Sequence, residues 1–337
     1  MLPPKQTLSK PQTRLDLERI KSAVPRISPV FRDTPQYACP ALGDALDCEV
    51  IVKLETANPV RCFKGRGAET VMARLTDNPG PKSAVCASVG NLGLALAYSG
   101  QSRGISVTVV AGATANPYKL ERIRASGATV RIVDGDFDDA RHLARQMADS
   151  EGAFLVEDSE NLDTCEGAGT IGLELIEHGD PIDAVLIALG GGALATGVGY
   201  AFKCLAPTVE IVCAQPKGAP AMALSWRAKS VVETDRTDTI ADGVAGRRPI
   251  PAVLDDLLAV ADHVPLVEEH SIIAGMRMLY RHAGLIVEPS AALSVAAMLE
   301  DRSRYRGKRV VTIICGSNVI ATDFEKWVIK QDDDISL

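Results

Sequence analysis

Short apolar runs, each about one strand long, recur along this 337-residue chain with a helix-length segment between most of them and the next. They are EVIVKLE (49–55), SAVCAS (83–88), ISVTVVA (105–111), ATVRIV (128–133), AFLV (153–156), DAVLIAL (183–189), VEIVCAQ (209–215) and RVVTIICG (309–316). Strands that alternate with helices in this way form parallel β-α-β units, covered on both faces. Residues 80 to 157 make one compact series, and a second begins with the helix at GAGTIGLELIEHG (167–179). No repeat, low-complexity tract or long linker parts the two. The expected fold class is therefore α/β, with two open, mainly parallel twisted sheets and flanking helices. The expected domains are a small one over 80–157 and a discontinuous large one over 1–79 and 158–337, sharing a cleft.

Two helices are legible in detail. Leu15, Leu17, Ile20 and Val24 in TRLDLERIKSAV predict a helix ended by Pro25. Ala68, Val71, Met72 and Leu75 predict another from Gly67, stopped by Asp77-Asn78-Pro79-Gly80.

Ligands of open parallel sheets bind at the C-terminal ends of strands, and glycine-rich segments lie there. SVGNLG follows SAVCAS, GGGALATG follows DAVLIAL, and CGSN closes RVVTIICG. A glycine loop that opens an apolar helix presents free backbone N–H groups and the positive end of the helix dipole to an anion. Gly190-Gly191-Gly192-Ala193-Leu194-Ala195 also fits G-x-G-x-x-A, the fingerprint of a dinucleotide site. That fingerprint needs an acidic residue at the end of the next strand, where Gln215 stands instead. A single phosphate is the better match, with nicotinamide binding and a purely packing role as the alternatives.

The net charge of −7 supplies no basic surface for nucleic acid or an anionic membrane. A small-molecule ligand is expected. The cysteines at 39, 48, 62, 86, 165, 204, 213 and 315 show no metal-ligand spacing, which points to reduced thiols in the cytoplasm. The first twenty residues lack the apolar core of a signal peptide, and no run of apolar residues is long enough to span a bilayer.

A lysine, Lys64, follows Phe63 in NPVRCFKGRGAET (58–70), at the predicted mouth of a helix. Taken alone it reads as a solvated charge, Asn91 as a turn residue, Cys315 as a small buried side chain and Glu288 as a helix-start charge. A phosphate cradle together with a lysine beside an aromatic ring suits a cofactor with one phosphate and one aldehyde. Over nearly its whole length the chain resembles the fold-type II pyridoxal-phosphate enzymes, the serine/threonine dehydratase and serine racemase group, whose fold is tryptophan synthase β-like. The motifs that carry the resemblance occur in order: TPQYACPALGDAL with VIVKLETANPVRCFKGRGA, SVGNLG, GGGAL, ADGVAG (241–246), VEPSAA (287–292) and ICGSN (314–318).

The resemblance implies pyridoxal 5'-phosphate in the interdomain cleft, with Lys64 as the Schiff-base lysine. It implies a phosphate loop over Gly190, Gly191, Gly192, Ala193 and Leu194, and further cofactor contacts from Phe63, Asn91, Gly243, Glu288 and Cys315. A substrate loop over Ser88, Val89, Gly90 and Asn91 would hold the amino-acid carboxylate. Gly65 and Gly67 are expected to let the backbone turn closely around the cofactor, Phe63 to pack the lysine stem, and Arg66 to be structural.

The implied reaction is β-elimination of a β-hydroxy amino acid to a 2-oxo acid and ammonia, with Lys64 as the base. Serine, threonine, 3-hydroxyaspartate and an ectoine-derived compound are all candidate substrates. Val89 stands where racemases carry a second acid/base serine, so racemisation should be poor. Gln215, Ala219 and Ala221 replace the carboxylates that bind a divalent metal in several relatives, so no such metal is expected. β-Replacement, as in cysteine, cystathionine or threonine synthesis, is the alternative within the family. A homodimer is implied by the resemblance alone. The polar tail WVIKQDDDISL suggests no appended regulatory domain.

Overall fold

The computed structural model describes residues 12–330 except 89, 114 and 136. After α1 (Leu17–Ala23), β1 (Gln36–Ala38), α2 (Pro40–Leu46) and β2 (Glu49–Leu54), a long helix, α3 (Lys64–Asp77), leaves the first sheet. The chain then builds β3 (Ser83–Ala87), α4 (Asn91–Arg103), β4 (Ser106–Gly112), α5 (Pro117–Ala125), β5 (Thr129–Val133), α6 (Phe137–Glu151) and β6 (Phe154–Leu155). Helix α7 (Leu162–Glu177) returns it to the first sheet through β7 (Ala184–Ala188), α8 (Ala193–Leu205), β8 (Glu210–Pro216), α9 (Ala221–Ala228) and α10 (Pro251–Val260). There follow β9 (Leu266–Val267), α11 (Glu269–Ala283), α12 (Leu293–Glu300) and β10 (Arg309–Ile314).

The sheet orders are β1-β2-β10-β7-β8-β9 and β5-β4-β3-β6. All neighbours run parallel except β1, which pairs antiparallel to β2 through Tyr37↔Val52. Parallel strands are covered on both faces, and β7 (AVLIA) is buried at every position. The expected α/β class with two mainly parallel sheets is what the chain adopts. The long apolar runs appear as strands to within a residue or two, while AFLV shrinks to two residues at a sheet edge.

Three local features differ from the sequence expectation. Helix α1 starts at Leu17, because Asp16 caps it by accepting from the Arg19 N–H (2.9 Å), and Pro25 falls inside a following 3-10 turn. β1 and β9 are too short to leave a periodic signal. Helix α3 begins at Lys64 and not at Gly67, since the preceding residues are tied to the end of β10. Cys62 bridges to Gly316, and the Phe63 N–H donates to the Cys315 carbonyl (3.0 Å).

That early start moves two glycines into the helix and changes their role. A Cβ on Gly65 would lie 2.3 Å from the Phe31 ring, and one on Gly67 2.9 Å from the backbone of Thr164 in α7. They were expected to face the cofactor. They serve helix packing.

Arg66, fully buried, anchors the same turn. Its guanidinium donates to both oxygens of Glu55 (2.8 and 2.7 Å) and both oxygens of Glu174 (2.6 and 2.9 Å). Lys53, also buried, donates to Glu174 (2.6 Å) and to the Thr34 carbonyl (2.9 Å). The bidentate fork suits a planar guanidinium and holds α3 against β2 and α7. Burial by itself would push the Glu174 carboxyl up, but the Arg66 hydrogen bond and charge, with Lys53, hold it down at about 2.

Candidate active site

The ends of β3, β6, β7, β8 and β10 open on a cavity of about 660 Å³ that takes residues from both sheets. Strand-end placement is what a doubly covered parallel sheet dictates, because its faces are blocked by helices.

Lys64, the first residue of α3, lines this cavity. Its ammonium lies 4.7 Å from the centroid of the Phe63 ring, a cation–π distance, so the phenylalanine does pack the lysine. The same nitrogen forms an ion pair with Asp158, which follows β6. The lysine side chain is 16% exposed and the aspartate 27%.

Across the cavity, the loop after β7 enters α8 through Gly190, Gly191 and Gly192, with Ala193 and Leu194 as the first helical residues. Gly192 has φ +112°, a region that L side chains avoid, and a Cβ there would sit 2.5 Å from Val253 Cγ1. The Ala193 N–H donates to Ser159 Oγ (3.1 Å), and a Cβ on Gly191 would lie 2.9 Å from that same oxygen. The backbone therefore needs glycine at 192, a side chain at 191 would have to displace the Ser159 hydroxyl, and the first-turn N–H groups of α8 beyond Ala193 have no carbonyl of a preceding turn to meet them. Gly192→Ala is expected to weaken phosphate binding by about tenfold or more, from strain of roughly 1–3 kcal/mol. Equilibrium dialysis against pyridoxal phosphate measures it.

Asn91 opens α4. Its amide donates to Glu288 (2.8 Å) and its carbonyl oxygen accepts from Asn318 Nδ2 (2.6 Å). Asn318 also donates from its backbone to Glu288 (3.0 Å) and from its side chain to the Val60 carbonyl (2.9 Å), and it accepts from Arg122 (2.6 Å). Burial raises the Glu288 carboxyl's affinity for its proton, and the Asn91 hydrogen bond works against that. The network ties α4 and α5 of the small sheet to the loop after β10.

Cys315 and Gly243 also line the cavity, the former with its thiol pushed well above its ordinary range by burial and then by the Glu288 charge. Ser88 has its hydroxyl committed inside the loop, accepting from the N–H groups of Gly90 (3.2 Å) and Gly93 (3.0 Å). Val89 lies outside the described residues.

The cavity thus gathers Phe63, Lys64, Ser88, Gly90, Asn91, Gly190 to Leu194, Gly243, Glu288 and Cys315 from separate stretches of chain. Sequence reasoning missed Asp158, Ser159, Ser290 and Asn318. Asp158 and Ser159 follow a strand of two residues, a run too short to draw attention to its end. Asn318 was visible as the last residue of the CGSN motif. Gln215 lines the cavity, and its side-chain oxygen accepts from the Ala223 N–H (2.8 Å) at the start of α9.

A lysine amine across one cavity from a glycine cradle at a helix N-terminus, between two parallel sheets, defines a class of enzyme that carries a phosphorylated aldehyde cofactor. The residues present fit such a group, since the cradle is narrowed to glycine. Ser290 Oγ is also buried, in the cavity lining, without a hydrogen-bond partner among the described residues. Residues 27–316 match the family described as pyridoxal-phosphate dependent enzymes, and the chain belongs to that family.

It is 30% identical to a serine racemase of Oryza sativa over 312 residues, 90% of this chain and 91% of that one. It is likewise 30% identical to L-threonine ammonia-lyase of Thermotoga maritima over 316 residues, 94% of this chain and 79% of that one. The solved structure of maize serine racemase superposes with a TM-score of 0.87 at 28% identity, covering 92% of this chain and 96% of the other.

Proposed function

We propose that this enzyme catalyses β-elimination of a β-hydroxy amino acid, giving a 2-oxo acid and ammonia. The observation that carries the reading is the placement of Lys64, at the mouth of α3 and lining the same cavity as the Gly190–Leu194 cradle, in a chain so similar to an L-threonine ammonia-lyase. Lys64 would attach the cofactor, the N-terminus of α8 would hold its phosphate, and Asn91, Glu288, Gly243 and Cys315 would surround its ring. When bound, pyridoxal phosphate supplies the sink for the electron pair left on the substrate α-carbon once its proton is lost.

Lys64 Nζ is the base that takes that proton, at the mouth of α3 in the cavity lining. Both lysines of the lining are ion-paired, Lys64 with Asp158 and Lys119 with Asp242, and it is the resemblance to the family that singles out Lys64. The N–H groups at the start of α4 receive the substrate carboxylate, because Ser88 already occupies those of Gly90 and Gly93 and the first helical turn offers the rest. The Asn91–Glu288–Asn318 network keeps that helix end in place. The division into domains at 79/80 and 157/158, and a homodimer, belong to the same proposal; light scattering tests the latter.

Similarity to serine racemases favours a second reading, racemisation. It requires a second proton carrier opposite Lys64, and the side chain of Val89 carries no exchangeable proton. Incubating the purified enzyme with serine, threonine, 3-hydroxyaspartate and ectoine-derived hydroxyamino acids separates the two. Release of 2-oxo acid in excess of D-amino acid is the expected result, and the reverse ratio overturns the elimination reading.

A further inference from the structure

The ion pair between Lys64 and Asp158 joins the two halves of the cleft: the lysine follows β2 of one sheet, the aspartate follows β6 of the other. One oxygen of Asp158, Oδ2, meets the ammonium, while Oδ1 is buried with no partner among the described residues. Buried carboxylate oxygens are ordinarily satisfied. A carboxylate with one oxygen on the reactive amine and the other bare is poorly explained as a structural strut. Arg66, two residues from Lys64, already anchors the helix through four hydrogen bonds to carboxylates.

We infer that Asp158 is a positioning residue for Lys64, holding the ammonium in the cavity whenever the amine is free. The inference rests on the reading of Lys64 as the residue that carries the cofactor and acts as base. In that reading the amine alternates between a covalently engaged form and a free one. While it is engaged, Asp158 loses its cation. Once it is free and has accepted the α-proton on Nζ, as the Cα–H bond breaks and an N–H bond forms, the carboxylate receives it as a charged partner. Asp158 thus fixes where the charged amine waits. A neutral side chain of the same shape keeps the volume and loses the charge.

The test uses the full chain freed of bound small molecules and treated at neutral pH with limiting acetic anhydride, followed by peptide mass spectrometry. Exposed Lys229 is the reference and buried Lys53 reports any unfolding. Asp158→Asn is expected to raise acetylation of Lys64 relative to Lys229 by more than about fivefold, above what an exposed ion pair would give. Asp158→Glu should stay within about twofold of the unsubstituted chain. Should the asparagine variant expose Lys53, Asp158→Ser is scored in the same way. Equal labelling of Lys64 in a folded neutral variant and the unsubstituted chain overturns the inference. Borohydride trapping of pyridoxal phosphate on the same samples reads the functional proposal separately. Failure to trap at Lys64 in the unsubstituted chain sinks that proposal, whereas intact trapping with unchanged acetylation sinks only the role of Asp158.

Discussion

Lys64→Ala is expected to yield a folded protein that retains no covalent pyridoxal phosphate after borohydride reduction and turns over about 10²–10⁴-fold more slowly. Two facts make the effect one of chemistry and not of folding. The lysine amine makes its hydrogen bond to Asp158 alone among the described residues, and its remaining polar environment is the cavity. The turn that carries it is held by Arg66 and by the Phe63 N–H on the Cys315 carbonyl, neither of which the substitution touches. The unfolding midpoint in urea should therefore move little. Lys64→Arg sharpens the comparison, because it keeps a positive charge for Asp158 but cannot condense with an aldehyde under ordinary conditions. It should match the alanine variant in trapping and in rate. A trapped adduct on another lysine, with activity kept, would remove Lys64 from the chemistry.

Arg66→Met is expected to cost roughly 3–5 kcal/mol of stability, the penalty of leaving a buried carboxylate without its partner. Here two carboxylates lose a bidentate cation at once, Glu55 entirely buried and Glu174 mostly so. Lys53 remains for Glu174 only. Replacing Arg66, Glu55, Glu174 and Lys53 together by apolar residues of similar volume should recover much of the loss, since no charge is then stranded. The urea midpoint measures both, and a quadruple variant as weak as the single one would show that the network contributes more than its own desolvation.

The same network sets an acid limit. The folded-state pKa of Glu174, about 2, lies below its ordinary value of 4.5, so its ionised form contributes stability above pH 4.5. That contribution, about 3 kcal/mol, is lost as pH falls from 4.5 through 2. The gap in stability between the unsubstituted chain and Glu174→Gln should narrow over that window.

Much of this site is legible in the chain because parallel sheets leave room for ligands only at strand ends. SVGNLG, GGGAL and ICGSN could be placed there from apolar runs alone, and φ +112° at Gly192 is the backbone reason that a glycine must stand in the second of them. Gly65 and Gly67 show the limit of such reading. Their spacing around Lys64 suggested a cofactor turn, but a glycine that admits a ligand and one that admits a neighbouring helix look the same until the neighbour, here Phe31 and Thr164, is known. Asp158 was missed for a related reason. Its partner lies 94 positions away, and nothing local to EDSENL marks it as facing a lysine.

Hydrophobic periodicity and glycine placement, both local properties, sufficed to determine the fold class and the strand-end location of the cavity, while the proposal of Lys64 as the reactive amine came from the resemblance to the family. Which groups surround that amine was decided by the tertiary structure alone: Asp158 as its counter-charge, Arg66 as an anchor between two buried glutamates, Asn318 as the hub behind Asn91. Coulombic and hydrogen-bond contacts depend on separation in space at a few ångströms, and only the packing of one sheet against the other sets those distances.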